Sequence, residues 1–212
     1  MKQLILIFAT VLLFSCNSDD DNNDGPGNPD PQNPTTSEYF ITGDMAANNV
    51  NFQQTDGYDL VISSDGEMGF DPETNESFCI NNYGGGLYNY QVENQPSMNI
   101  DFVRHLIVDF CEDEEVFVES FELGEYTFSN GEDKGAAVYY FDGSNNYLST
   151  EGDQSGSVFT LSEKEVIGTS SAGLISIKVK GTFTCKVYNM DNPADFKEIT
   201  NGNYTVLLES RM

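Results

Sequence analysis

Tryptophan is absent from this sequence and histidine occurs once, while lysine and arginine number 9 against 35 aspartates and glutamates, a formal net charge of -26. So few cations argue against nucleic-acid binding, where affinity comes from Lys and Arg neutralising phosphates. Docking onto anionic lipid by charge is disfavoured for the same reason. His105, the single histidine, has no visible nucleophile or orienting partner, so it reads as structural or exposed rather than as a catalytic base. Zinc has little to hold it, because Cys79, Cys111 and Cys185 do not form the close pairs that zinc sites show. Long hydrophobic runs are missing as well. The longest, Leu4 to Phe14, would rise ~16 Å as a helix, about half of a ~30 Å hydrocarbon core. It therefore does not read as a permanent membrane span.

What that run does resemble is a leader. Lys2 supplies a positive charge before it, and Leu13-Phe14-Ser15-Cys16 closes it, so residues 1–15 read as a signal peptide. The ending resembles the lipobox of bacterial lipoproteins, which implies that Cys16 is lipidated and becomes the first residue of the mature chain. Such proteins carry two or three acyl chains, and stable attachment needs more than one, at ~0.8 kcal/mol per buried methylene. Residues 16–37 form the next segment. Asn17 to Ser37 contains only Asn, Asp, Gly, Pro, Ser, Gln and Thr, which cannot offset their own ordering entropy, so a disordered acidic tether is expected. Pro26, Pro29, Pro31 and Pro34 stiffen it to a reach between ~25 and ~65 Å. Ser18-Asp19-Asp20-Asp21 resembles the acidic signal that follows the lipidated cysteine in surface-exposed lipoproteins of Bacteroidota-type bacteria. The alternative is a solvated linker without an address. The resemblance implies an outer-membrane protein facing the cell exterior, its membrane partner reached through the lipid on Cys16.

Residues 38–212 read as a single all-β domain. Short alternating runs appear at Tyr39–Thr42, Val50–Phe52 and Tyr58–Ser63, with turns expected at Ser64-Asp65-Gly66 and Asp71-Pro72-Glu73. Gly84-Gly85-Gly86 is expected to break the next strand. Met98, Ile100 and Phe102 alternate in phase with Leu106, Val108 and Phe110, and Arg104 interrupts them, as at a bulge or a strand end. Val116 to Phe121 leads towards another strand, and Asn130-Gly131 suits a type I′ hairpin turn. In the second half Ile175, Ile177, Val179, Phe183, Cys185 and Val187 share one face and Lys178, Lys180 and Lys186 the other. Gly181 marks a kink or the close approach of another backbone. Asp191-Asn192-Pro193-Ala194-Asp195 suits one helical turn, and Ile199 to Tyr204 suits a hairpin. No segment keeps helical periodicity for three turns. The expectation is an antiparallel β-sandwich, with a closed β-barrel as the alternative.

Four blocks, Gly124-Glu125-Tyr126-Thr127-Phe128, Gly156-Ser157-Val158-Phe159-Thr160, Lys180-Gly181-Thr182-Phe183 and Ile199-Thr200-Asn201-Gly202, resemble the recurring blocks of small all-β lipoproteins grouped in bacterial domains of unknown function. The resemblance covers roughly the last ninety residues and carries over no catalytic residue. Three cysteines remain after lipidation, so one at least is unpaired. Cys185 reads as a buried thiol on an apolar face, and Cys79 with Cys111 is the choice for a bridge, although spacing does not fix connectivity. Calcium has two candidate places, Asp109 with Glu112 to Glu115, and the expected loop bearing Asp65, Glu67, Asp71 and Glu73. Neither run has the order of an EF-hand, so no metal or other cofactor is expected. Carboxylates are the one abundant chemical group, and two suffice for glycoside hydrolysis. Tyr83, Tyr88 and Tyr90 around the glycine run could stack on a ligand. The reading is a non-enzymatic surface module that binds a glycan, protein or ion of unknown identity or forms a structural part of the cell envelope, with a carboxylate-pair polysaccharide hydrolase as the alternative.

Overall fold

The computed structural model describes residues 37–46, 49–107, 114–129, 134–170 and 173–210, with side chains excepted at 105–107, 114 and 115. The leader, Cys16, the tether up to Thr36, Asn130-Gly131 and Cys111 lie outside this set. No helix among the described residues is long and apolar enough to cross a membrane.

Alternation builds the fold. Among the described residues the strands are β1 (Phe40–Met45), β2 (Val50–Gln53), β3 (Asp59–Asp71), β4 (Glu76–Tyr88), β5 (Ser97–Ile107), β6 (Gly124–Tyr126), β7 (Gly135–Phe141), β8 (Asn146–Leu148), β9 (Val158–Thr169), β10 (Ile175–Asn189) and β11 (Phe196–Glu209), with a short α-helix, α1 (Glu114–Glu119), and two single 3-10 turns. In β10 the odd residues Ile177, Val179, Phe183, Cys185 and Val187 are buried while the lysines between them keep partial exposure, because successive strand side chains point to opposite faces. Every pairing between named strands is antiparallel, in the order β2-β1-β11-β10-β8-β7-β5-β4-β3. The second edge of β10 is divided. β9 takes Ile175 to Thr184 and β8 takes Tyr188 and Asn189, so the sheet turns a corner there. The single sheet curls into a half-barrel whose two halves face each other, with β11 packed across the core on β3 and β4. Among the described residues the path ends at β2 and β3 without a bond between them, so it does not close into a barrel.

The core lies between the two halves. Phe102, Phe159, Phe183 and Tyr204 form its aromatic centre, with Phe102 edge-on to Phe159 at 5.6 Å and Phe159 stacked on Tyr204 at 5.2 Å. Gly181 behaves as its position suggests. A Cβ there would collide with the Thr160 carbonyl and with the Tyr204 ring, whose hydroxyl donates to that carbonyl at 3.1 Å.

Several local expectations are corrected by tertiary packing. Gly84-Gly85-Gly86 does not break β4, which runs unbroken from Glu76 to Tyr88. Ser64-Asp65-Gly66 is not a turn but lies inside β3, paired through to Asp71. The core face of β4 is the odd-numbered one, so Cys79 is fully buried while Phe78 and Ile80 are only half-buried. Ile199 to Tyr204 is a bulge, not a hairpin. Asn201 takes a φ of 51°, the register slips against both neighbouring strands, and β11 continues to Glu209. Asp191 to Asp195 forms turns rather than a helical turn. Val116 to Glu119 is helical where a strand is expected, since Glu114–Glu119 is helix α1, and Ser120 and Phe121 follow it outside any strand. Phe117 from that helix and Phe121, two residues past its end, meet Tyr83 at 4.9 and 5.7 Å.

Arg104 is neither at a bulge nor at a strand end. β5 runs through it in unbroken register with β4, and its side chain points into the core with the apolar set. There the guanidinium lies over Phe121 at 4.4 Å, Tyr126 at 4.8 Å and Phe102 at 5.4 Å. It donates to the Val103 carbonyl at 3.0 Å and to the Tyr126 hydroxyl at 3.1 Å.

Candidate functional site

The glycine run that fails to break β4 builds the most distinctive surface of the molecule. Gly85 points inward, where a Cβ would lie 2.6 Å from the Leu207 carbonyl oxygen, so its bareness lets the two halves of the sheet approach. Gly84 and Gly86 point outward, and the side chains of Asp101, Asn99 and Ser63 lie over them in the space a Cβ would need. Ser63, Gly84, Asp101 and Ala137 pair in one row across β3, β4, β5 and β7. Three of the four are small, which leaves a hollow of about 320 Å³ with Asp101 on its floor and Asp65, Asn82, Tyr139 and Glu151 around it. Asn99 donates a hydrogen bond to the Asp101 carboxylate. Burial among these neighbours pushes the Asp101 carboxyl up to about 6, against the lowering effect of that hydrogen bond.

Tyr139 is also a wall of a second cavity, of about 370 Å³, at the end of the same half-sheet. Tyr88, the last residue of β4, stacks on Tyr90 with ring centres 6.2 Å apart and planes inclined by 17°. Tyr90 is 71% exposed and Tyr139 37%, so both present ring surface to solvent. Asn89, Asn94, Gln95 and Asn146 add amide groups to the lining. The loops are braced locally. Asn89 accepts the Gln91 N–H at 3.0 Å, Asn94 takes a φ of 58°, and Asp142 accepts the N–H groups of Ser144 and Asn145 at 3.0 and 2.9 Å. Burial, then the charge of Asp101, raises the Tyr88 phenol; the same two causes raise Tyr139.

A third cavity of about 590 Å³ shares Gln95 and Tyr140 with the tyrosine cleft. Phe52, Tyr58, Phe196 and Lys197 line it. Lys197 is held by two residues. Its ammonium donates to the Tyr147 hydroxyl at 2.7 Å, pairs with Asp142 at 3.3 Å and sits 4.0 Å from the Tyr147 ring centre.

Of the residues singled out from sequence, Tyr88 and Tyr90 come together in the cleft, whereas Tyr83 is buried in the core and bonded there by Asn81 at 3.1 Å. Cys79 is disulfide-bonded and Cys185 is a buried free thiol whose ionisation burial opposes strongly. Cys111, the partner chosen for Cys79, and the acids Asp109, Glu112 and Asp113 lie outside the described residues, as does Cys16. Asp65, Glu67 and Asp71 lie along β3 rather than in a loop, and no group of three acid, histidine or cysteine side chains among the described residues could hold a metal ion. Asp101 and Tyr139 are site residues that reading the sequence misses. Their signal is the paired rows of strands β4, β5 and β7, which no single stretch reveals. No family model, curated protein or solved structure matches the chain.

Proposed function

We propose that the chain is a lipid-anchored cell-envelope protein whose β-domain binds a glycan at the cell exterior, without catalysing a reaction. The observation that carries this reading is the cleft walled by Tyr88, Tyr90 and Tyr139. Exposed rings supply apolar area at low entropic cost, suited to the C–H faces of sugar rings, and the surrounding amides suit hydroxyl groups. The anchor half of the proposal rests on Lys2, the apolar run from Leu4 to Phe14, and Cys16 followed by an acidic, proline-containing segment. Tyr90→Ala tests the cleft, because a ring so exposed carries little of the fold. Titration calorimetry against a neutral oligosaccharide identified on a glycan array should show binding weakened about tenfold, near 1.4 kcal/mol, with Tm unchanged. Unchanged affinity would move the binding surface elsewhere.

One observation favours a second reading, a polysaccharide hydrolase. Asp101 holds its proton to about 6 in a hollow that also contains Asp65 and Glu151, the pattern of an acid and a second carboxylate with different tasks. Turnover of a bound oligosaccharide that disappears in Asp101→Asn would establish it. Binding without turnover leaves the module reading in place.

A further inference from the structure

Resting on the glycan-binding reading, we infer that the three adjoining cavities are one groove for a linear, uncharged glycan chain rather than a pocket for a single terminal sugar. Each cavity by itself is of a size that suits one small ligand. They are not independent. Tyr139 is a common wall of the hollow over Gly84 and the tyrosine cleft, and Gln95 with Tyr140 is a common wall of the cleft and the third cavity. Tyr139 and Tyr140 are consecutive in β7, so they point to opposite sides of the strand. The groove therefore passes over the end of the half-sheet, from the outer face bearing Asp101 to the side bearing Phe52 and Tyr58. Aromatic surface at that far side comes from Phe196, 51% exposed, and from the partly exposed Tyr58, which packs on the buried Phe52 at 5.1 Å.

Charge selects the occupant. Asp65, Asp101 and Glu151 line one end and Asp142 and Glu198 the other, while Lys197, the cation in the groove, is already paired with Asp142. The chain as a whole carries -26. A polyanionic glycan would meet repulsion along this path that salt screens only beyond ~8 Å. An uncharged chain meets none, and its hydroxyls can donate to the carboxylates as charge-assisted hydrogen bonds.

The test uses the mature protein in mild detergent and biosensor titration with cello-, xylo-, manno-, malto- and laminari-oligosaccharides of two to six units, with alginate and heparin fragments of matched length. The expected result is that in at least one neutral series Kd falls about tenfold or more from disaccharide to hexasaccharide, and that the polyanions bind at least tenfold more weakly than that hexasaccharide. Tyr139→Ala should reduce the length-dependent gain to less than about threefold, while Tyr139→Phe, which keeps the ring, retains it. Thermal unfolding of both variants checks that the fold persists. A disaccharide that binds as tightly as its hexasaccharide overturns the groove but leaves the cleft reading intact. Tighter binding of the polyanions overturns the choice of occupant. Failure of every series to bind removes the glycan reading and the groove with it.

Discussion

Burial holds the proton on Asp101, and that has a consequence for stability. Its carboxyl rises from the ordinary 3.8 to about 6 on folding. Between these values the folded protein keeps a proton that the unfolded chain has released, so stability falls as pH rises through the window. Above it, the ionised carboxylate costs the fold on the order of 3 kcal/mol at most. Asp101→Asn removes the charge and keeps an oxygen for Asn99 to bond. Urea unfolding should find the variant more stable by about 1–3 kcal/mol at pH 7.5 and nearly equal to the parent at pH 4. An equal difference at both pH values would show that the effect is not the ionisation of Asp101. Arg104 is the opposite case, a buried cation set among three aromatic rings and bonded to two oxygens.

At the scale of elements, β4 joins the fold to the site. Its glycine triplet serves both faces, with Gly85 admitting β11 and with Gly84 and Gly86 admitting the side chains that furnish the hollow. Gly85→Ala should force the half-sheets apart, because the added carbon would lie 2.6 Å from a backbone oxygen and 2.8 Å from the Val206 Cβ. A cost of about 1–3 kcal/mol follows, or a Tm lowered by about 3–10 °C. A Tm within a degree of the parent would mean that β11 can retreat freely. The long outer strand β3 carries Asp59, Asp65, Glu67 and Asp71, charges that discourage pairing with a further strand along its free edge.

For the whole molecule, the anchor reading makes its own prediction. Cys16→Ser should prevent lipidation and leave the protein unprocessed or soluble, and membrane fractionation after high-salt and carbonate washing follows it. A variant that stays with the membrane as the parent does would end the lipoprotein reading. On that proposal the lipid would carry the attachment, since a net charge of -26 works against anionic headgroups.

The sequence by itself determined the class of fold, because side chains alternate with a period of two wherever one face of a strand is buried, and β10 states that pattern over its whole length. It also determined the acidic character and the location of Tyr88 and Tyr90 beside a glycine run. Tertiary structure alone decided the rest. Gly84 to Gly86 looked like a breaker because glycine is weak in an isolated strand, yet here its small size is what lets packing occur on both faces. Asn201-Gly202 carried the signal of a hairpin, and pairing with the long β10 on one side and the short β1 on the other carried β11 past it as a bulge. Asp101, Tyr139 and Glu151 are separated along the chain and meet only because β5, β7 and the turn after β8 lie side by side. Periodicity records which face a residue takes, but not which strand becomes its neighbour; that is set by long-range packing.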